Sequence, residues 1–349
     1  MFSSVLSAAI CGIDGRKITV EADVSDGLPV FSMVGYLASE VREAQDRVRT
    51  ALKNTGIRLP ARRITVNLAP ADIRKAGSGF DLPIAVAVLS CLEQIPRQRT
   101  EGILFVGELS LDGGINGIRG VMELVSCAVR QGCHTCIVPE ENLAEGSVIQ
   151  GIKVLGAGHI RQVIRYLRGQ GELEQRSINI EEIRNRHKEE AGSDFSQIQG
   201  QFLLRRAAEV AVAGFHNLLI IGPPGSGKTM TARRIPTIMP EISLEEALEI
   251  SKIHSIAGEL PEGAALMTGR PFRSPHHTVT PAALAGGGRG PRPGEVSLAH
   301  RGVLYLDELP EFEKGTLEIL RQPMEEGRIC ITRNTGNYLF PAEFMLVAS

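Results

Sequence analysis

Residues 217–235 read NLLIIGPPGSGKTMTARRI: an apolar run, a glycine-rich octapeptide and the start of a charged helix. The octapeptide is Gly222, Pro223, Pro224, Gly225, Ser226, Gly227, Lys228 and Thr229, and it matches G-x-x-x-x-G-K-[ST] throughout. The pattern predicts a buried strand over 217–221 and a helix starting over 230–235. Phosphate binding needs that order. Glycines let backbone N–H groups turn inward around an anion, and the helix start adds a favourable dipole. Lys228 then neutralises the β- and γ-phosphates, and the Thr229 hydroxyl ligates Mg²⁺. ATP and Mg²⁺ are the expected cofactors.

A nucleotide hydrolase also needs a buried strand ending in acids, and residues 302–308, GVLYLDE, supply one. Asp307 at the strand end is placed to hold Mg²⁺ through its water shell. Glu308 is placed to polarise the attacking water as a general base. Alone, an apolar run ending in acids is common; downstream of a full P-loop it specifies a hydrolase site.

Between the two motifs, residues 263–294 hold Arg270, Arg273, Arg289, Arg292, His276 and His277, and no Asp or Glu. Glycines 286–288 and several prolines make the second half a loop. Arginines without acids suit a phosphate backbone, so all four are candidate DNA contacts. Contact with ATP or a neighbouring subunit, or simple solvation, are the alternatives. Adjacent histidines point in different directions unless a loop folds back, and these have no carboxylate near in sequence, which favours structural or hydrogen-bonding roles over a metal site.

The whole chain frames these motifs. Its 349 residues are too many for one core and predict two domains. A net charge of -2 neither favours nor excludes a nucleic-acid partner, because a motor can confine its basic groups to one loop. No apolar run reaches the ~18 residues that span a bilayer. The opening MFSSVLSAAICGIDGRK has no basic leader and continues into alternating sequence, so it reads as strand and not signal peptide. A cytoplasmic location is expected, and six cysteines fit it if they are reduced. Cys133 and Cys136 form a CxxC without a second ligand pair, so Cys136 is assigned to a core.

Residues 1–165 alternate strands and helices. KITVEADV and RITVNLAP have strand periodicity. Residues 39–53 form an amphipathic helix, 82–92 a buried helix and 121–130 another, with ILFVGEL and CIVP as strands. Residues 166–193 are charged, poor in large apolar groups and read as a linker. A second α/β domain occupies 194–349. The fold class is α/β in two domains.

Residues DFSQIQGQFLLRRAAEVAVAGFHNLLIIGPPGSGKT, RPFRSPHHTVTPAALAGGG, PRPGEVSLAHRGVLYLDELPEF and FMLVAS together resemble the magnesium-chelatase-like AAA+ family, and within it the ComM-like proteins. The resemblance runs over essentially the whole chain. It implies an ATPase forming a hexameric ring that drives branch migration of DNA in recombination. In GELSLDGGINGIRGVMEL and IVPEEN the N-terminal region is similar to the proteolytic domain of Lon, an α+β fold. That similarity sets Leu124 where Lon's catalytic lysine falls and Asp81 where its nucleophilic serine falls. Ser78 lies nearby, but a serine without a base is a poor nucleophile, so no peptidase activity is expected. Family members continue past the strand like FMLVAS into a polar sensor residue, an arginine finger and a helical lid. Ending at Ser349, this chain is expected to be an incomplete AAA+ core, which makes ATP binding firmer than turnover. A chelatase-type protein-remodelling ATPase and an ATP-binding remnant without turnover remain the alternative functions.

Overall fold

In a computed structural model, residues 1–179, 194–261, 263–288, 290–333 and 336–349 are described. The chain divides into two compact units, Met1–Ile178 with Pro261–Ala265, and Asn179–Leu260 with Leu266–Ser349.

The period-two alternation of the first residues becomes a long antiparallel hairpin. Strand β1 (Phe2–Cys11) turns at Gly12, whose φ of 67° suits a residue without a Cβ, and pairs with β2 (Asp14–Ser25). Strands β3 (Phe31–Val34) and β4 (Arg63–Ala69) extend the sheet on one side. Strands β5 (Ile103–Phe105), β8 (Thr135–Pro139) and β9 (Lys153–Ala157) extend it on the other. The sheet has seven strands in the order β3-β4-β2-β1-β5-β8-β9, with β1, β5, β8 and β9 parallel. A small hairpin, β6 (Glu108–Leu109) with β7 (Ile115–Asn116), stands apart.

Helix Asp81–Cys91 is buried at every position, as its continuous apolar sequence requires. The helix expected over 39–53 appears as Ser39–Arg42 and Ala44–Asn54, with Glu43 between them still right-handed. Helix Val121–Arg130 presses Leu124 and Cys127 into a second cluster beside Cys133 and the fully buried Cys136. Burial raises the pKa of the Cys136 thiol. The charged stretch begins later than its composition implied. Leu173 packs into the first core and Glu174 bridges Gly156, so ordered contacts run past 166; residues 180–193 lie outside the described residues.

Asp81 and Ser78 have definite surroundings. Asp81 is fully buried and takes two hydrogen bonds from Arg47, Nε to Oδ2 at 2.7 Å and Nη2 to Oδ1 at 2.9 Å. The Leu109 N–H adds a third at 3.1 Å. Burial pushes the Asp81 carboxyl up against the pull of Arg47, while hydrogen bonding to Asp81 holds Arg47 more firmly cationic. The Ser78 hydroxyl donates to Glu108.

In the second unit, β10 (Leu218–Leu219), β11 (Phe272–Arg273), β14 (Val303–Leu306) and β17 (Met345–Ala348) form an all-parallel sheet in the order β10-β17-β14-β11. Its core gathers Val303, Tyr305, Met345 and Val347 from the sheet with Ala208 and Val212 from helix Phe202–Ala213. Helix Leu244–Ala257 starts at a reciprocal cap, Glu246 N to Ser243 Oγ at 3.1 Å and Ser243 N to Glu246 Oε2 at 3.0 Å. Two short ribbons, β12 (Gly286–Gly287) with β13 (Arg292–Pro293) and β15 (Arg328–Arg333) with β16 (Gly336–Pro341), stand outside the sheet. No helix among the described residues is long and apolar enough to cross a membrane.

The Arg47–Asp81 pair sets an expectation for stability. Arg47→Ala leaves a buried carboxylate uncompensated and should lower unfolding free energy by about 3 kcal/mol, with the double replacement Arg47→Leu/Asp81→Leu restoring much of it. Urea midpoints of the first unit's transition measure this; an unchanged midpoint for Arg47→Ala means the pair is not holding the helix.

Candidate nucleotide site

The parallel sheet delivers its chemistry at the carboxyl ends of its strands, where open α/β sheets bind ligands. The first delivery is the P-loop. After β10 the chain runs through residues 220–227 into helix Lys228–Arg234. Gly225 (φ 76°) and Gly227 (φ 85°) occupy left-handed conformations, and a Cβ on either would meet nothing within 4 Å. The backbone, not crowding, therefore requires glycine there. Ser226 Oγ donates to Pro223 O at 2.9 Å, and Lys228 Nζ donates to Gly222 O at 2.8 Å and Pro223 O at 3.0 Å. The ammonium thus lies over the mouth of its own loop, within a torsional swing of an anion seated there.

The second delivery is the acid pair. Asp307 follows β14, and its Oδ2 accepts from Thr229 Oγ1 at 3.0 Å. Its Oδ1 accepts from Ser349 Oγ at 2.5 Å and from Glu308 N at 3.1 Å. Tyr305 is otherwise fully buried, and its hydroxyl reaches Thr229 Oγ1 at 3.3 Å and Ser349 Oγ at 2.9 Å. Burial works to raise the Asp307 carboxyl, but the hydrogen bonds from Ser349, Tyr305, Thr229 and the Glu308 N–H outweigh it. Asp307 is held below the ordinary carboxylate range. A carboxylate held toward its ionised form and touching the P-loop hydroxyl is a donor set for a hard divalent cation.

Glu308 has φ 55° and ψ 51°, a left-handed conformation that costs a non-glycine residue about 1–3 kcal/mol. The turn is pinned by Leu309 N to Ser349 O and Ser349 N to Leu306 O, both 2.9 Å. Its side chain stays 70% exposed and stands 3.7 Å from His277 Nδ1. The P-loop, His277, Asp307, Glu308 and Ser349 line one cleft of about 1020 Å³, at the upper end of the range for small-molecule sites. The residues present fit a magnesium–nucleoside triphosphate complex: a glycine cradle, a lysine ammonium at its mouth, a paired hydroxyl and carboxylate, and an exposed carboxylate beside them.

Two members of this site, Tyr305 and Ser349, carry no assigned role in the sequence, and only Tyr305 has a signal there, a hydroxyl within an otherwise apolar strand. His277, one of the adjacent histidines assigned to structural roles, lines the cleft. His276 behaves differently from its neighbour, bonding Thr278 Oγ1 at 3.0 Å while the two rings sit 4.0 Å apart.

The acid-free window acquires counter-charges from outside itself. Arg270, its side chain 10% exposed, donates to Glu246 Oε2 at 3.1 Å and also to Pro240 O and Arg301 O. Arg273 is clamped between Glu295 and Glu259, both at 2.7 Å. Both guanidiniums are thus engaged inside their own unit, which removes the reason for assigning them to phosphate. Arg292 is exposed on β13 and has no side-chain partner among the described residues. The pairing of β12 with β13 brings Gly287 opposite Arg292, and the Arg333 guanidinium of β15 lies beside Gly287. Arg333 is thus a further cation near Arg292 that the sequence did not reveal. Arg289 lies outside the described residues.

Comparison with known proteins bears on this geometry. Residues 194–349 match the family described as magnesium chelatase, subunit ChlI, and residues 20–142 match that described as subunit ChlI of Mg-chelatase. The chain is 42% identical to competence protein ComM of Haemophilus influenzae over 346 residues, 99% of this chain and 67% of that protein. It belongs to the magnesium-chelatase-like ComM family. YifB of Escherichia coli is 43% identical over 347 residues, with the same shares of the two chains. A protein of Mycobacterium tuberculosis is 44% identical over 342 residues, 98% of this chain and 67% of its own length. The chain thus spans about two thirds of these relatives. Family membership supports an ATPase-type function using ATP and Mg²⁺, and the cleft contains the groups that function needs.

Lys228→Ala should weaken binding of a fluorescent ATP analogue about ten- to a hundred-fold, the loss expected for a hydrogen bond to a charged group. Unchanged affinity would remove Lys228 from the phosphate site. Because hydrogen bonds hold Asp307 low, Mg²⁺-enhanced binding should persist to lower pH than an ordinary carboxylate would allow. Ser349→Ala should move the loss of that enhancement to higher pH. An acid limb that stays in place would show that Ser349 is not what keeps Asp307 ionised.

Proposed function

We propose that this chain is the ATPase core of a ring-shaped DNA motor, acting in branch migration or a related helicase step of recombination or natural transformation. The observation that carries the proposal is the pairing, within one unit, of a complete P-loop and acid cleft with an exposed basic ribbon at Arg292 and Arg333. In the first, Thr229 and Asp307 hold Mg²⁺ with ATP, Lys228 neutralises phosphate, and Glu308 orients and deprotonates water. In the second, among the described residues Arg292 has no side-chain partner and Arg333 donates only to the Thr332 carbonyl, so both charges are available to replace the counterions of a phosphate backbone. The printed name of the Haemophilus influenzae relative, a competence protein, fits work on incoming DNA. A homo-hexamer in the cytoplasm belongs to the same proposal.

In this reading the first unit is a Lon-like fold that does not cleave peptides. Its support lies in Asp81, committed to Arg47, and in Leu124, committed to the core. Neither can supply a nucleophile or a base.

ATPase rates of this chain and of a full-length relative, measured alone, with branched DNA and with unfolded protein, test the proposal. Branched DNA should stimulate turnover, and Arg292→Ala should reduce that stimulation while sparing the basal rate. Glu308→Gln should bind ATP yet lose turnover by about a hundred-fold or more. Stimulation by unfolded protein and not by DNA would replace the DNA motor with a protein-remodelling ATPase.

A further inference from the structure

The first unit holds a second cleft, far simpler in composition than the nucleotide site. It lies where helix Ala44–Asn54, the connection that follows it and the start of β3 meet, and has a volume of about 320 Å³. Arg49, Lys53, Arg58 and Arg62 line it, and no acid does. Arg49 and Lys53 stand one helical turn apart and so share a face. Among the described residues the side chains of Arg49, Lys53 and Arg58 have no ion-pair or hydrogen-bond partner. Arg62 has only Asp26 at 3.4 Å, with the two side chains 49% and 92% exposed. An exposed pair of that kind contributes little and is readily exchanged for another anion.

Between the cations the cleft is apolar. Phe31 and Leu59 are half-buried against the core, and Val30 is 50% exposed beside them. Charge alone would suit any polyanion, but the apolar interior asks for a ligand that also carries flat, weakly hydrated groups. Unstacked nucleobases on a phosphodiester chain combine both; glutamate or aspartate side chains offer only charge. The volume lies at the small end of ligand sites, enough for one base-sized group at a time. Duplex DNA keeps its bases stacked inside and offers nothing to the apolar part.

The geometry points to a single-stranded nucleic-acid site on the first unit, with Arg49, Lys53, Arg58 and Arg62 on phosphates and a base lying over Phe31 and Leu59. The site needs no nucleotide and no ring, so it holds whether or not DNA drives the ATPase. It gives the first unit a nucleic-acid-binding role of its own.

The test is fluorescence anisotropy of a labelled oligothymidylate with the whole chain, without ATP, across a salt series. Arg49→Ala/Arg58→Ala should bind at least about ten-fold more weakly, with a salt slope shallower by about 1.4 for two lost phosphate contacts on a single strand. Lys53→Glu should act in the same direction, and both variants should keep the unsubstituted chain's urea midpoint for the first unit's transition, which shows that unit is folded. Unchanged affinity and slope in both variants would overturn the site. Displacement of the oligonucleotide by polyglutamate of matched charge as effectively as by unlabelled oligothymidylate would overturn the nucleic-acid assignment. Arg292→Ala separates the two proposals. If it alone abolishes binding, the cleft fails and the motor loop stands; if only the cleft variants lose binding, the cleft stands without the loop.

Discussion

Everything at the nucleotide site turns on keeping one carboxylate ionised in a half-enclosed place. Desolvation pushes the Asp307 carboxyl upward, and hydrogen bonds from Ser349, Tyr305, Thr229 and the Glu308 N–H outweigh it. Those donors come from the helix after the P-loop, from β14 and the turn behind it, and from the end of β17. They converge only because β17 lies between β10 and β14. Strand order is therefore a condition of the electrostatics: with β10 and β14 adjacent, Ser349 would have no place between them, and the carboxylate would lose its shortest hydrogen bond.

Arginine is used in two ways in this chain. Arg47, Arg270 and Arg273 are consumed by carboxylates of their own unit and act as fasteners between elements distant in sequence. Arg49, Arg58 and Arg292 are exposed and have no side-chain partner among the described residues. The first kind stiffens a unit, because a planar fork fixes the angle as well as the distance between the elements it joins. The second kind is available to a partner that brings its own charge. Sequence composition cannot tell the two apart.

The window from 263 to 294 illustrates this limit. It contains no acid, so its arginines read as free; yet Glu246, Glu259 and Glu295 close on two of them from just outside the window. Tertiary pairing is invisible to a local count. The P-loop and the acids after β14 were legible for the opposite reason: each is a contiguous run whose backbone conformation and chemistry are decided within a few residues. Most strands and helices of the first unit were legible by periodicity, including Val121–Arg130 end to end. The break at Glu43 left no mark on the amphipathic pattern, because it preserves the buried face. The late start of the charged stretch was hidden because Leu173 is one apolar residue in polar company, and only the core behind it gives it meaning. Ser349 and His277 reach the site from stretches of chain outside both motifs, so their place in it was not legible; Tyr305 sits inside the acid strand, and only the fold brings its hydroxyl to Thr229.

The position of β17 has a mechanical side. The P-loop hangs from β10 and the metal carboxylate from β14, and these two strands share no hydrogen bonds; each is laddered only to β17 on that side. A change in spacing between the phosphate cradle and the carboxylate must therefore shear one ladder or the other, and Ser349, at the end of the shared strand, registers the difference. The strand between them works as a gauge: Ser349 at its tip, bonded to both Asp307 and Tyr305, is positioned to sense how far apart the two halves of the site stand.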